Sequence, residues 1–286
     1  ADSIYYLSLY KEGLKNIPEE VLVLKNLLEL ALPDNELSDL PKDFSKLKAL
    51  KELDLSYNNF ESLPNTIGKL GNLNTLYLQK NSLQALPKNL HQLKKLKTLV
   101  LLLNKLTALP NSFAKLKSLE VLHIGQNKFQ KFPEQILKLT ALRVLNLGMS
   151  EITLIPDKIG ELHQLQSLIL GINNISSLPD EMKQLTNLER LDLSDNSFER
   201  FPELICAFKN LKSLNIQENR IIQLPDCICS LENLQELSIS RNQIRKLPAN
   251  MGNMQNLKEL YLIGNPIAPK SIEKLKQELP NCNVVE

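Results

Sequence analysis

One apolar spacing returns along this chain without interruption: Leu50, Leu53 and Leu55, an asparagine at 58, then Leu63, Pro64, Ile67 and Leu70 before the spacing restarts at Leu73. The step is 23 residues, and starts fall at Ile4, Leu27, Leu50, Leu73, Leu96, Leu119, Leu142, Leu165, Leu188, Leu211, Leu234 and Leu257, twelve repeats with no insertion or deletion. A repeat of this length cannot bury its own leucines, so neighbours must stack and share one continuous core. Residues 1–286 are therefore expected to form a single domain with a C-terminal cap within about 266–286. There Pro266, Pro269 and Pro280 depart from the pattern, and Ile272, Leu275, Leu279 and Val284 are placed to cover the last repeat.

Each position of the repeat has a physical reason. Apolar residues at positions 4 and 6, such as Leu53 and Leu55, alternate as in a strand and point inward, leaving positions 3, 5, 7 and 8 to line the outer side of the sheet, the expected concave face on which a partner would bind. Asparagine at position 9 recurs from Asn35 to Asn265, where an amide can satisfy backbone groups freed as the chain leaves its strand; Glu12 and Ser150 break the column. Proline at position 15, from Pro18 to Pro248, fixes φ where the return segment begins. Acids then fall near the start of that segment and lysines near its end, as in Glu134 and Lys138, an order that suits short helical turns. The expected fold is an α/β solenoid: a horseshoe with a concave parallel sheet and short helical turns on its convex side.

Composition narrows the function. The formal charge of +2 is too close to neutral to indicate a nucleic-acid partner or a polybasic membrane binder. No apolar window is long enough to insert into a membrane. Ala1 to Leu9 lack the basic region and apolar run of a signal peptide, although a removed one would leave no trace. No catalytic apparatus, cofactor site or metal site is expected. The best acidic cluster, Glu29, Glu52 and Asp54, offers carboxylates at a spacing some glycosidases use, but nothing in the sequence desolvates either member of the pair. His91, His123 and His163 occupy different repeat positions, so they form no metal shell. Cys206, Cys227 and Cys229 should be neighbours on the convex side, as reduced thiols, as a Cys206–Cys229 disulfide or as a thiolate metal site, while Cys282 belongs to the cap.

The repeat Leu-x-x-Leu-x-Leu-x-x-Asn-x-Leu-x-x-Leu-Pro-x-x-Ile-x-x-Leu resembles the 23-residue class of leucine-rich repeats, whose members include Ras-suppressor-type scaffolds of eukaryotes and proteins of pathogenic spirochaetes. Unbroken repeats in the style of Leu178-Pro179 through Leu185 to Leu188 are closer to the bacterial group. That resemblance implies a non-enzymatic recognition module, exported or on the cell surface, binding a host or other protein. A second reading is a cytoplasmic scaffold for a small GTPase or signalling partner, and a third is a glycosidase using Glu52 and Asp54.

The variable positions locate the expected partner site. In repeats five to eight, positions 3, 5, 7 and 8 carry no charge, and they include Val100, Leu102, Leu103, Val121, His123, Val144, Met149, Ile169 and Ile172, with Tyr57 and Tyr77 on the N-terminal rim. Gly125, Gly148 and Gly171 recur at position 7 and are expected to leave a furrow. An apolar surface rimmed by polar groups marks an interaction site, here for a protein ligand or a second copy of the chain.

Overall fold

The structure, a computed structural model, describes residues 4–286. The chain divides into two compact units, Ala1–Leu145 and Asn146–Glu286. In the first, β1 (Tyr6–Ser8), β2 (Glu29–Ala31), β3 (Glu52–Asp54), β4 (Thr75–Tyr77), β5 (Thr98–Val100) and β6 (Val121–His123) pair parallel in chain order. Each residue lies beside its equivalent one repeat later, so Leu53 stands between Leu30 and Leu76. β7 (Val144–Asn146) lies where the two units divide. In the second unit, β8 (Ser167–Ile169), β9 (Arg190–Asp192), β10 (Ser213–Asn215), β11 (Glu236–Ser238), β12 (Glu259–Tyr261) and β13 (Asn283–Val285) continue the same pattern.

The strands are short because the chain turns sharply two residues after each. Position 8 is left-handed in repeat after repeat, from Lys11 (φ 58°) through Tyr57 (55°), Leu103 (56°), Met149 (55°) and Ile172 (58°) to Arg241 (52°). The asparagine that follows holds the turn: Asn58 Oδ1 accepts from Leu37 N at 2.9 Å, and its Nδ2 donates to Leu32 O at 2.9 Å, Leu55 O at 3.2 Å and Ser56 O at 3.0 Å. One side chain thus binds two adjacent repeats and satisfies backbone groups that no strand reaches. At Ser150 the column is broken, and the buried hydroxyl has no hydrogen-bond partner among the described residues.

After proline the return segment is a five-residue 3-10 turn, as in Lys42–Lys46 and Asn65–Lys69. A 3-10 turn eclipses residues three apart, which sends positions 18 and 21 inward together; Ile67 and Leu70 are both fully buried. In the first repeat this place is taken by α1 (Glu19–Leu22). The chain closes on α2 (Pro269–Glu278), with proline in its first turn where the missing N–H has no intrahelical role. Ile272, Leu275 and Leu279 are buried, and Val284 of β13 lies in register with Leu260.

The convex-side cysteines take none of the three states expected from the sequence: reduced thiols, a Cys206–Cys229 disulfide or a thiolate metal site. Cys206 is bonded to Cys227, with Cα atoms 5.8 Å apart, while Cys229 and Cys282 are free thiols. The turn geometry supplies the reason. Ile205 and Ile228 point into the core at position 18, so positions 17 and 19 flank that point on opposite sides. Position 19 of one repeat therefore meets position 17 of the next, whereas Cys206 and Cys229, both at position 19, look the same way along the stack.

Candidate functional site

In the first unit, strand register sets two rows of side chains on the outer sheet face. Asp54, Tyr77, Val100 and His123 form the position-5 row, and Glu52, Thr75, Thr98 and Val121 the position-3 row. Tyr77, Leu102, Val121, His123 and Val144 are half-buried, whereas Val100, between Tyr77 and His123 in its row, is only 9% exposed. Tyr57 and Leu103 project from position 8 at 45% and 42% exposure, and the Lys80 ammonium sits 4.6 Å from the centre of the Tyr57 ring. Burial pushes the His123 imidazole below its ordinary pKa of 6.5, and its Nδ1 has no hydrogen-bond partner among the described residues. At neutral pH this histidine is an uncharged ring next to Val100 in the row.

In the second unit, Met149 and Ile172 project from position 8 at 45% and 44% exposure, and half-buried Ile169 lies beside Asp192 in register. The expected furrow is absent. Gly125, Gly148 and Gly171 are buried. A methyl group on Gly148 would stand 3.0 Å from Gly171 O, and one on Gly171 would stand 2.7 Å from Ser194 Oγ. At position 7 Ser56, Ser194 and Ser240 are buried in the same way, whereas the larger Leu102 is half-buried and Ile263 is 45% exposed.

A large apolar side chain at position 8 is disfavoured twice, by contact with water and by a backbone region that costs an L-residue about 1–2 kcal/mol. Ile172 is the most constrained, since a β-branched residue at positive φ is a true outlier. Asp34, Lys80, Asp195 and Glu218 hold the same backbone conformation elsewhere with polar side chains. Sequence reasoning missed this conformation, and the one signal for it was Gly264, the glycine that occupies position 8 in the last repeat (φ 74°).

The acidic cluster does show a perturbation. Burial first, then the charges of Glu29 and Asp54, push the Glu52 carboxyl above its usual range, and burial followed by Glu52 and Asp54 pushes Tyr77 up. The expectation that nothing desolvates this pair is corrected for Glu52. Asp54 Oδ1 is occupied by the Ser56 N–H at 2.8 Å. Among the described residues, no group of three or more His, Cys, Asp or Glu is placed to hold a metal ion, and no helix is long and apolar enough to cross a membrane.

The repeat geometry has direct counterparts. A leucine-rich-repeat family model matches residues 2–60, 140–198, 163–221 and 209–267, and a leucine-rich-repeat region model matches 42–154. The chain belongs to the leucine-rich-repeat family. It is similar to a leucine-rich-repeat protein of Leptospira interrogans, at 30% identity over 99% of this chain and 96% of that one, with a TM-score of 0.70. A Listeria monocytogenes internalin shares the fold at 22% identity, covering 99% of this chain and 87% of that one, with a TM-score of 0.80. A plant peptide hormone receptor, solved in complex with RGF2, is similar at 30% identity over 92% of this chain and 44% of the receptor, with a TM-score of 0.76. No curated protein matches by sequence. Leucine-rich-repeat solenoids of this kind typically serve as non-enzymatic modules for protein recognition.

Proposed function

We propose that this leucine-rich-repeat protein is a bacterial exported recognition module that binds a protein ligand on the outer face of its sheet. The observation that carries the reading is the set of exposed large apolar residues at left-handed position 8: Leu103 in the first unit, Met149 and Ile172 in the second. Neither packing nor backbone preference explains them, and residues kept against both are drawn from functional surfaces. In the first unit Tyr57, Tyr77, Val100, Leu102, Val121, His123 and Val144 join Leu103 on the outer sheet side, and in the second Ile169 joins Met149 and Ile172. The Cys206–Cys227 disulfide supports a life in an oxidising compartment. The Leptospira neighbour supports a bacterial source, and the receptor complex supports a protein or peptide ligand.

Capture of ligand from host extract by the immobilised chain tests this, comparing wild type with Leu103→Asp and Ile172→Asp. Aspartate already occupies position 8 at Asp34 and Asp195, so both variants should keep or raise the melting temperature. Affinity for the captured protein should fall by about 2 kcal/mol or more, roughly thirtyfold. A captured protein held equally well by both variants would overturn the assignment.

A further inference from the structure

The net charge of +2 is a sum of unlike parts. Residues 1–145 carry twenty Lys and Arg against fourteen Asp and Glu, while 146–286 carry fourteen against eighteen. Within the first unit the imbalance is sharper: from Ser62 to Leu119 there are nine lysines and no acidic residue.

Stacking gathers these lysines on one edge. Positions 20, 22 and 23 and position 2 of the next repeat form the loop that leads back into each strand. In the first unit that edge carries Lys25, Lys46, Lys48, Lys51, Lys69, Lys94, Lys95, Lys97, Lys115, Lys117, Lys138 and Arg143, all exposed. Contacts between successive repeats make the edge continuous. Lys48 Nζ reaches Lys69 O (3.4 Å), Asn72 Nδ2 reaches Lys48 O (2.9 Å), Lys95 Nζ reaches Asn72 Oδ1 (2.8 Å), Ser118 Oγ reaches Lys94 O (2.8 Å) and Lys117 Nζ reaches Lys138 O (2.6 Å). The only acid at these positions is Glu120, which Lys97 holds at 2.9 Å and Arg143 at 4.0 Å and whose carboxyl is pulled below the usual range, first by the Lys97 hydrogen bond. At a strand spacing of about 4.8 Å the row runs for roughly 20 Å or more.

We propose that this edge binds a linear sulfated polysaccharide. Lys46 is paired with Asp43 at 2.7 Å and Lys97 with Glu120, whereas Lys69, Lys94, Lys95 and Lys117 lie in the stretch that has no acidic residue, and a row of like charges raises the local concentration of a polyanion. The residue types select the kind of polyanion. From Lys46 to Lys138 every cation is lysine, a hydrated point charge that can follow a row of anionic groups and lacks the bidentate fork of arginine. Between Lys46 and Lys138 no aromatic residue falls at these positions for stacking bases, as single-stranded nucleic acid requires. The two large apolar side chains exposed between Lys46 and Lys138 are Tyr57 and Leu103, both at position 8 beyond the far end of the strand, so nothing on the edge inserts into a lipid surface.

Heparin is the probe, with duplex DNA and phosphatidylserine vesicles as competing anions of other classes. Wild type should bind heparin at 50 mM salt, more tightly than either competitor, and lose roughly tenfold or more in affinity by 200 mM, as counterion release requires. The variant Lys69→Ala/Lys94→Ala/Lys95→Ala/Lys117→Ala should bind at least tenfold more weakly with an unchanged melting temperature. Lys209→Ala/Lys258→Ala, in the second unit, should change affinity less than twofold. Heparin should also shield Lys69, Lys94, Lys95 and Lys117 from acetylation in the wild-type chain, leaving Lys209 and Lys258 reactive. The proposal is overturned by absence of heparin binding at 50 mM salt, by equal binding of the quadruple variant, by equal acetylation in both units, or by tighter binding to DNA or vesicles.

Discussion

The two units repeat one frame and differ in what they hang on it. At positions 20, 22, 23 and 2 the first unit presents its lysines. The same places in the second unit hold three lysines, Lys209, Lys212 and Lys258, against three glutamates, Glu161, Glu189 and Glu232, with asparagine at position 23 in four successive repeats. Those asparagines are structural: Asn187, Asn210, Asn233 and Asn256 each donate to the position-22 carbonyl of the preceding repeat at 2.8 Å. Of the position-23 residues in the lysine-rich stretch, Asn72 alone is an asparagine that does this, with Ser118 substituting. An edge that one unit uses to tie repeats together is, in the other, given over to charge.

The comparison is open to attack through stability, read separately for each unit by hydrogen exchange. The disulfide joins only repeats of the second unit and closes a loop with a sequence separation of 21. Cys206→Ser/Cys227→Ser should destabilise that unit by about 3 kcal/mol, the scale for a loop of this size, and leave exchange in the first unit unchanged. Equal loss in both units would show that they do not unfold independently.

A smaller effect, of opposite sign, is expected at the break in the asparagine column. Asn173 Nδ2 donates to Leu170 O (2.9 Å) and Gly171 O (3.4 Å) of its own repeat, and Ser150 stands at the same place with an unpartnered hydroxyl. Ser150→Asn should stabilise the protein by up to about 1.5 kcal/mol, one hydrogen bond's worth, seen as a midpoint shift in urea. A lowered midpoint would show that the site has no room for the amide.

The smallest effect concerns His123 in the first unit. Its folded-state pKa lies below the unfolded value, so the folded chain favours the neutral ring, and this contribution is complete above pH 6.5 and lost as pH falls through the folded pKa. Between pH 7.5 and 5 the wild-type melting temperature should therefore drop more steeply than that of His123→Leu. Parallel curves would remove His123 as a source of acid sensitivity.

The amino-acid sequence by itself determined the frame: the 23-residue step, the inward leucines, the asparagine column and the proline at the start of each return segment. These are local and periodic, and repeated stacking leaves them one consistent solution. It also placed the apolar variable residues on the outer sheet face, since alternation in a strand decides which side chains share a face. Tertiary structure decided what depends on how neighbouring turns look at one another. Cys206 meets Cys227 because opposite flanks of successive 3-10 turns face each other, a relation no count of 23 reveals. Gly148 and Gly171 are buried, and Ile172 is exposed on a left-handed backbone, because the chain turns at positions 7 and 8, where strand alternation no longer applies. Lys69, Lys94, Lys95 and Lys117 are dispersed in the chain and masked in the net charge, and only stacking in register draws them into one edge.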